Sequence, residues 1–448
     1  MLFASATLVS ALLANTAVAQ KCQGAAPSKA IVAKGFIAKV FASGLSQPRG
    51  LTFDSEGNLL VVERGRGITA FKITEDAGGC LPTAGAKSTA IGNAQLNHGI
   101  DLSPDGKTLF ASSVSTAWSW PYDAKQAKTT GPATTLVTGM SGSDHTTRTI
   151  LISKKAPGTM LISRGSGSNY DIRAKTIGSG FSQIRSFDIA KVSAKSVAYT
   201  EGKVIGWGLR NSVGLGENPA DGGIWSNENG ADQMDYGSSK LDIHETNPGE
   251  EINYHGKLTE NSPQHGKNYG YPECAATWDT RGMPQTSLKV GQHFAPNPPR
   301  GTSGAVTATD AACQGPNYVA PRLSLPSHWA PIDMAFTKSG SVAYMTSRGS
   351  WNKNTPDGYQ LFAIDFKDGQ PTHPATSKSA AIAILENRNV GSACKGFVSG
   401  CFRPTGVAID AKGRIYMASD GTGEIYVIGK SDGSSVHDLA QVEPYVRG

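Results

Sequence analysis

Hydrophobic and polar positions alternate in six short segments of the chain, and each segment is interrupted by a polar turn. The segments are 50–65, 99–114, 148–165, 214–230, 333–349 and 406–421. Alternation with a period of two is typical of a half-buried β-strand. Two such runs joined by a turn of Asp, Gly, Pro or Lys predict a β-hairpin. The pattern therefore predicts six hairpins built on one plan.

The distances between the hairpins indicate a repeat architecture. Successive segments start 49, 49, 66, 119 and 73 residues apart. The first two intervals match one four-stranded propeller blade, and the longer ones predict insertions. We therefore expect an all-β, six-bladed β-propeller, in which the extended segment 36–41 pairs with the last blade to close the ring. The interval 231–330 is predicted to carry long functional loops, including 254–272 and 292–316.

Composition agrees with this architecture. The chain holds 53 glycines and 24 prolines among 448 residues, which is typical of many turns and few helices. A mature chain of about 430 residues exceeds the usual size of one compact core, and repetition avoids that limit. The formal charge of +6 is scattered and forms no basic run, so a nucleic-acid partner is not expected.

The beginning of the chain predicts export. Residues 1–19 form an apolar stretch that ends in Ala17-Val18-Ala19, a pattern typical of a secretory signal and too short for a membrane helix. It lacks the usual basic residue at its start. We expect a signal peptide at 1–19, one propeller domain at 20–448, an extracellular location and no membrane partner.

The cysteines point to the same compartment. All six lie after the predicted signal, and none has the spacing of a zinc or haem motif. An even number in an oxidising compartment predicts disulfides. Sequence order suggests the pairs Cys22–Cys80, Cys274–Cys313 and Cys394–Cys401, although other connectivities stay open.

Candidate chemistry is densest in the segment 206–236. Arg210 and Asn211 precede its hairpin, and together they suit a planar ligand that carries acid groups. Gly230 follows the hairpin and lets the backbone approach a ligand closely, so that carbonyl oxygens there become candidate ligands of a hard cation. The alternative is a decorated hairpin without a ligand.

Polar residues recur at the ends of the other hairpins. They are Glu63, Arg64, Asn97, His98, Asp144, His145, Arg148, His328, Trp329, Arg348, Trp351 and Arg403. For each of them taken alone, the simpler interpretation is a surface charge or a turn residue. Their recurrence at one place in the repeat predicts an arginine-rich pocket for a polyanionic ligand at the propeller axis.

Several stretches resemble the pyrroloquinoline-quinone (PQQ) dependent sugar dehydrogenases. They read GLRNSVGL, WSNENGAD, NPGEEINYHGK, NYGYPE, SHWAPIDMAF, SRGSWN and CFRPTGVA. The resemblance is greatest to the fungal PQQ-dependent pyranose dehydrogenases, covers nearly all of the mature chain, and extends more distantly to soluble glucose and sorbosone dehydrogenases. A haem domain and a cellulose-binding tail, found in some multi-domain members, are not recognisable.

The resemblance implies oxidation of the C1 hydroxyl of pyranose sugars, aldoses or 2-ketoaldoses, with PQQ and calcium. The electrons would pass to an external acceptor such as a cytochrome domain, a copper oxidoreductase or a quinone. Residue by residue, it implies His145 as general base, Arg210 and Asn211 at the quinone carbonyl, and the backbone carbonyls of Gly230 and Ala231 as calcium ligands.

The remaining matches concern cofactor binding. Arg348 and Arg403 match positions that bind the carboxylates of the cofactor. Weaker matches that line the pocket are Arg64, His98, Arg148, His328, Trp329 and Trp351. Bacterial relatives orient the histidine with an acidic residue, but the corresponding stretch 164–166 has none. The orienting partner of His145 therefore stays open, and Asp144 is only its neighbour in sequence.

Two other functions fit a propeller. A calcium-dependent lactonase or hydrolase would use an axial calcium directly on its substrate. A carbohydrate-binding propeller without turnover would use Trp118, Trp120 and Trp329 as sugar platforms. The arginines favour the quinone enzyme, because neutral sugars and lactones do not require several arginines around the axis.

Overall fold

All six predicted hairpins form, and each supplies the first two strands of a four-stranded antiparallel sheet. The computed structural model describes residues 22, 27–76, 80–281, 283, 286–299, 302, 304, 306–394 and 400–443. The predicted signal segment 1–19 lies outside these residues. In the described part, no helix has the length and apolar character needed to cross a membrane.

The sheets are the six blades of a propeller, because the first strand of each blade contacts the first strands of its neighbours. We number the blades 1 to 6 in chain order. From the axis outward, their strands are Pro48–Phe53, Leu59–Glu63, Gly67–Thr74 and Thr83–Ile91 in blade 1; Ile100–Leu102, Thr108–Ser112, Ala117–Asp123 and Thr134–Thr138 in blade 2; Ile150–Ile152, Thr159–Arg164, Gln183–Asp188 and Lys203–Trp207 in blade 3; Ser212–Glu217, Gly223–Glu228, Glu250–Lys257 and Leu323–Leu325 in blade 4; Pro331–Phe336, Val342–Ser347, Gln360–Lys367 and Ile382–Asn387 in blade 5; and Pro404–Ile409, Ile415–Ser419, Glu424–Lys430 and Phe36–Ala42 in blade 6.

Short elements decorate these sheets. Additional strands are Ala30–Val32, Lys128–Thr129, Val197–Ala198, Lys267–Asn268 and Gln370–Pro371, and two ribbons pair Asp235–Tyr236 with Leu241–Asp242 and Ala275–Ala276 with His293–Phe294. The α-helices of the described residues are Ile189–Ala194, Asp310–Cys313 and Val390–Ala393, and the 3-10 helices are Ile172–Lys175, Ile177–Ser179, Tyr199–Glu201 and Val436–Asp438.

The ring closes as predicted. The strand Phe36–Ala42 pairs antiparallel with Glu424–Lys430, with Phe36 opposite Lys430. The amino-terminal strand therefore completes the last blade and covers the edge that Glu424–Lys430 would otherwise leave open.

The core lies between the blades, because alternate residues of a strand face opposite neighbours. In blade 4, Trp225 packs toward blade 5 with Met345, whereas the preceding residue, Ile224, packs toward blade 3 with Ile205. This alternation is the period of two that predicted the hairpins. Trp118 and Trp120 also pack in the core, between blades 1 and 2, and so do not form an open sugar platform.

The three predicted disulfides are confirmed, and they join Cys22 to Cys80, Cys274 to Cys313, and Cys394 to Cys401. The bridge between Cys274 and Cys313 lies within the insertion 231–330. That insertion also carries two ribbons and the two outer strands of blade 4. The predicted loop 254–272 begins inside the strand Glu250–Lys257.

Side chains near the axis join neighbouring blades. Thr405 of blade 6 donates its hydroxyl to Pro48 O of blade 1 at 2.9 Å. Thr149 of blade 3 donates to Val213 O of blade 4. The carboxylate of Asp333 in blade 5 accepts from Val407 N of blade 6 at 2.9 Å. These bonds satisfy backbone groups at the open edges of the inner strands.

The buried carboxyl group of Asp333 should make the stability of the protein depend measurably on pH. Burial raises the pKa of Asp333 from 3.8 to about 7, so folding takes up a proton between these values. The resulting stabilisation is complete below the unfolded pKa and is lost as the pH rises through the folded pKa. The unfolding free energy of Asp333→Asn minus that of wild type should therefore rise by about 1–3 kcal/mol between about pH 5 and about pH 8.

Denaturant titrations at several pH values measure this difference. The control is Glu56→Gln, which removes an exposed carboxylate from a turn of blade 1. A pH-independent difference between Asp333→Asn and wild type would contradict the assignment of a proton to Asp333.

Candidate active site

The candidate site lies at one end of the propeller axis. In an antiparallel blade, the first strand begins and the second strand ends at the same edge. The loops at these points therefore meet on one face around a cavity of about 470 Å³. The predicted site residues in its wall are Arg64, His145, Arg210, Asn211, Gly230, His328, Arg348 and Trp351.

The other predicted residues lie behind this wall. His98 is 2% exposed and lines a separate axial chamber of about 120 Å³, together with Asp101 and Asp333. Arg148 is buried, and its guanidinium donates to the carbonyls of Met140, His145 and Thr147. Arg148 thus stabilises the loop that carries His145 rather than facing the cavity.

Trp329, Arg403 and Ala231 also lie outside the cavity wall. The Trp329 ring packs edge-on against Phe362, with centroids 5.5 Å apart. The Arg403 guanidinium lies 5.1 Å from the ring centroid of Tyr359. The side chain of Ala231 is buried in an apolar cluster. None of these three residues lines the cavity, so no direct contact supports the roles in ligand binding that were predicted for them.

Four charged residues of the wall were missed in the sequence. They are Arg49, Asp232, Glu250 and Asp420. Arg49 immediately precedes the first hairpin and Asp420 ends the last one, so the repeat offset that selected the other candidates also covers them. Asp232 and Glu250 belong to the insertion side of blade 4, where no repeat signal exists.

Arginines dominate one end of the cavity. Arg49 donates to Asp420 at 2.9 Å, and Arg348 donates to the same carboxylate at 3.0 Å. Arg64 also faces this end, and its guanidinium makes no hydrogen bond to any residue that the structure describes. Two cations thus share one carboxylate, and a third cation lies in the same wall. Burial, followed by repulsion from Arg348 and Arg64, lowers the pKa of Arg49 to about 10 although Asp420 opposes the change.

Arg210 also lines the cavity and is held rigidly. Its guanidinium donates to Asn169 and Asn229 and forms a 2.7 Å ion pair with Asp232. Its backbone N–H donates to the buried carboxylate of Glu228 at 2.7 Å. Arg210 therefore presents a fixed positive charge that needs no rearrangement when a ligand arrives.

His145 faces the cavity between these groups. Burial first, and then Arg210 and Arg148, lower its pKa to about 3. Its ring Nδ1 lies 3.0 Å from Ser166 O and 2.9 Å from Ser166 Oγ. Ser166 is thus the partner that the sequence left open. It follows the second strand of blade 3, the same repeat position as the other site residues.

The cation candidates combine backbone and carboxylate oxygens. No N–H or O–H group of the described residues donates to the carbonyl oxygen of Gly230 or Ala231. Glu250 accepts from Gly230 N at 2.6 Å, and Asp232 lies beside it in the cavity wall. The described residues contain no group of three or more His, Cys, Asp and Glu side chains arranged for a metal. A cation here would need backbone carbonyls and oxygens from a ligand.

His328 closes the wall from the loop before blade 5. Its Nε2 lies 2.6 Å from His244 O, so this nitrogen carries the proton. Its backbone φ is 60° and that of Ala330 is 53°, a left-handed conformation that costs energy for residues with a side chain. Such strain near a cavity is typical of functional loops.

Comparison with known proteins gives consistent matches over the whole propeller. Residues 30–431 match the family model described as TrAA12-like. The PQQ-dependent sugar dehydrogenase of Hypocrea jecorina is 40% identical over 407 residues, which cover 90% of this chain and 89% of the relative. The calcium structure of Trichoderma reesei Carbohydrate-Active Enzymes Family AA12 is 40% identical and superposes with a TM-score of 0.84, covering 92% of this chain and 99% of that one.

A longer relative matches as well. The PQQ-dependent pyranose dehydrogenase of Coprinopsis cinerea is 38% identical over 418 residues, which cover 90% of this chain. The same match spans only 55% of that relative.

Proposed function

The chain belongs to the TrAA12-like family, and from this membership and the cavity geometry we propose that it is a PQQ-dependent dehydrogenase that oxidises sugars. The finer proposal is oxidation of the C1 hydroxyl of pyranoses, with calcium beside the cofactor. The observation that carries the proposal is the arginine end of the cavity, where Arg49 and Arg348 share the carboxylate of Asp420 and Arg64 adds a third guanidinium to the wall.

The residues present fit PQQ, a flat quinone with three carboxylates. Arg49 is almost fully buried, and its Nε has no hydrogen-bond partner among the described atoms. A buried charged donor without a partner is costly, and a bound carboxylate would relieve that cost. Arg49, Arg64 and Arg348 would hold such groups, with Asn211 and Arg210 at the other end of the ligand.

The residues also fit a hard cation. Among the described residues, no N–H or O–H group donates to the carbonyl of Gly230 or Ala231. Gly230 lines the cavity together with the carboxylates of Asp232 and Glu250, whereas Ala231 lies outside the cavity wall. Oxygen ligands of this kind suit calcium, which takes carbonyl and carboxylate oxygens together. A calcium ion would add positive charge beside Arg210.

The proposed chemistry begins with proton removal from the sugar. His145 accepts the proton of the C1 hydroxyl at its cavity-facing nitrogen, as a general base. Arg210 holds positive charge in place where negative charge develops during the reaction. A bound PQQ supplies the two-electron acceptor that the amino-acid side chains lack.

The electrons then pass to an external acceptor, which we propose to be a cytochrome domain, a copper oxidoreductase or a quinone. We also propose that the protein is secreted. The three disulfides support this location, because such bonds persist in oxidising compartments.

Reconstitution tests the function. Protein purified with a chelator should bind PQQ tightly only after calcium is added, and should then reduce a dye with pyranose substrates. Isothermal titration measures the affinity, and dye absorbance measures turnover. Equal PQQ affinity with and without calcium would remove the metal from the proposal. A correctly loaded protein without sugar-dependent dye reduction would overturn the activity.

Arg348 and Arg403 form a matched pair for cofactor binding. Arg348 lines the cavity, whereas Arg403 stacks near Tyr359 behind it. Arg348→Ala should weaken PQQ binding by roughly 1.5–3 kcal/mol through loss of a charge-assisted hydrogen bond. Arg403→Ala should weaken it less. Titration of both variants with PQQ compares them, and unchanged affinity in Arg348→Ala would contradict the carboxylate site.

His145 and His98 form a second pair. His145→Ala should retain PQQ and calcium yet lose sugar-dependent reduction by roughly 10²–10⁴-fold, because it lacks the base. His98→Ala should mainly change PQQ affinity, since His98 lies in the axial chamber beside Arg49 and not in the cavity wall. Stopped-flow measurement of the loaded variants separates these outcomes, and near-normal reduction in His145→Ala would exclude it as the base.

A further inference from the structure

The contacts of His145 determine which ring nitrogen carries its proton. Nδ1 lies 3.0 Å from the backbone carbonyl oxygen of Ser166. A carbonyl oxygen only accepts hydrogen bonds, so Nδ1 must be the donor. The opposite tautomer would place two lone pairs against each other in a buried site.

The hydroxyl of Ser166 gives the same answer independently. Ser166 Oγ lies 2.9 Å from Nδ1 of His145, and it donates its own hydrogen to Ser168 O at 2.7 Å. Its lone pairs therefore face His145. Both oxygens of Ser166 accept from one N–H group.

The other nitrogen of His145 is consequently the acceptor. Nε2 makes no hydrogen bond to any described residue, and His145 lines the cavity. In a neutral imidazole with the proton on Nδ1, the lone pair is on Nε2. That lone pair is the group a general base needs.

We propose that Ser166 is the positioning residue of His145: its two uncharged oxygens hold the proton on Nδ1 and turn the Nε2 lone pair toward the substrate. This inference rests on the proposed function only for the role of His145 as base. The tautomer itself is a property of the protein without cofactor.

Neighbouring residues fix Ser166 in this place. Its backbone N–H donates to Arg210 O at 2.7 Å, which links the loop of the base to the loop of the fixed cation. A methyl group on Gly165 would lie 2.7 Å from the Cβ of His145 and 2.5 Å from Oδ1 of Asn211. Only glycine at 165 allows this close approach, so Ser166 reaches His145 because of its neighbour.

The absence of charge on Ser166 has a chemical consequence. A carboxylate in contact with an imidazole stabilises the protonated ring, and a neutral acceptor does so far less. The charged groups that act on His145 are Arg210 and Arg148, which lower its pKa, and Asp171, which raises it. Asp171 is itself paired with Arg173 at 2.8 Å. His145 thus stays neutral into the acid range before an anionic ligand binds.

Nitrogen NMR of the cofactor-free protein, labelled with ¹⁵N-histidine, tests the tautomer directly. The signals of His145 are those missing from His145→Gln. We expect a proton on Nδ1 and none on Nε2 at neutral pH, with the ring unprotonated at mildly acidic pH. A proton on Nε2 would overturn the proposal, whether or not the enzyme is active.

A matched pair of variants tests the effect of a negative charge at position 166. Ser166→Asp should raise the pH at which His145 protonates by roughly 1–3 units, whereas Ser166→Asn, of the same size, should not. Ser166→Ala keeps the carbonyl and should keep the tautomer. If His145 protonated at the same pH in Ser166→Asp and in Ser166→Asn, this result would contradict a contact between Ser166 and His145. Circular dichroism checks that all three fold.

Kinetics of the loaded enzyme then separate this inference from the proposed function. If Ser166 positions the base, the acidic limb of the pH–rate profile should move to higher pH in Ser166→Asp and stay in place in Ser166→Asn. A wild-type protein that loads PQQ but oxidises no sugar would defeat the function and leave the NMR result intact. Unchanged pH profiles in an active Ser166→Asp enzyme would defeat the positioning role alone.

Discussion

Pairing between the strand Phe36–Ala42 and the strand Glu424–Lys430 closes the ring on which the whole structure depends. Closure leaves each blade packed between two neighbours, so the second strand of each blade buries nearly every residue. It also brings the starts of the first strands and the ends of the second strands to one face. Residues from distant parts of the chain, such as Arg49 and Arg348, meet there because of this geometry and not through any local contact between their loops.

The arginine end of the cavity carries positive charge that the carboxylate of Asp420 balances only in part. Asp420 neutralises Arg49 and Arg348 together, while Arg64 adds a third cation. Confining these groups is costly unless an anion joins them. The same positive charge also acts on the axial chamber. Burial first, and then Arg49 and Arg64, lower the pKa of His98 there. The arginine cluster therefore supports the proposal of an anionic cofactor.

Ser166 links His145, the proposed base, to Arg210. Ser166 contacts His145 through its carbonyl and hydroxyl oxygens and contacts Arg210 through its N–H. Movement of either loop would therefore disturb both groups. The neutral oxygens of Ser166 orient the ring but stabilise its protonated form far less than a carboxylate in the same place would. The protein thus separates the positioning of the base from the control of its charge.

The sequence by itself determined the six hairpins, the closing strand and many of the residues around the cavity, including His145 and Arg210, whereas it suggested the disulfide pairs but left other connectivities open. These follow from local signals: the period of two, turn chemistry and the offset within a repeat. Only the tertiary structure decided that Arg403 turns toward Tyr359, that Glu250 faces the cavity, and that Ser166 contacts His145. The rotation of a side chain and its partner on a neighbouring blade depend on packing between strands far apart in the chain, and no local pattern encodes that packing.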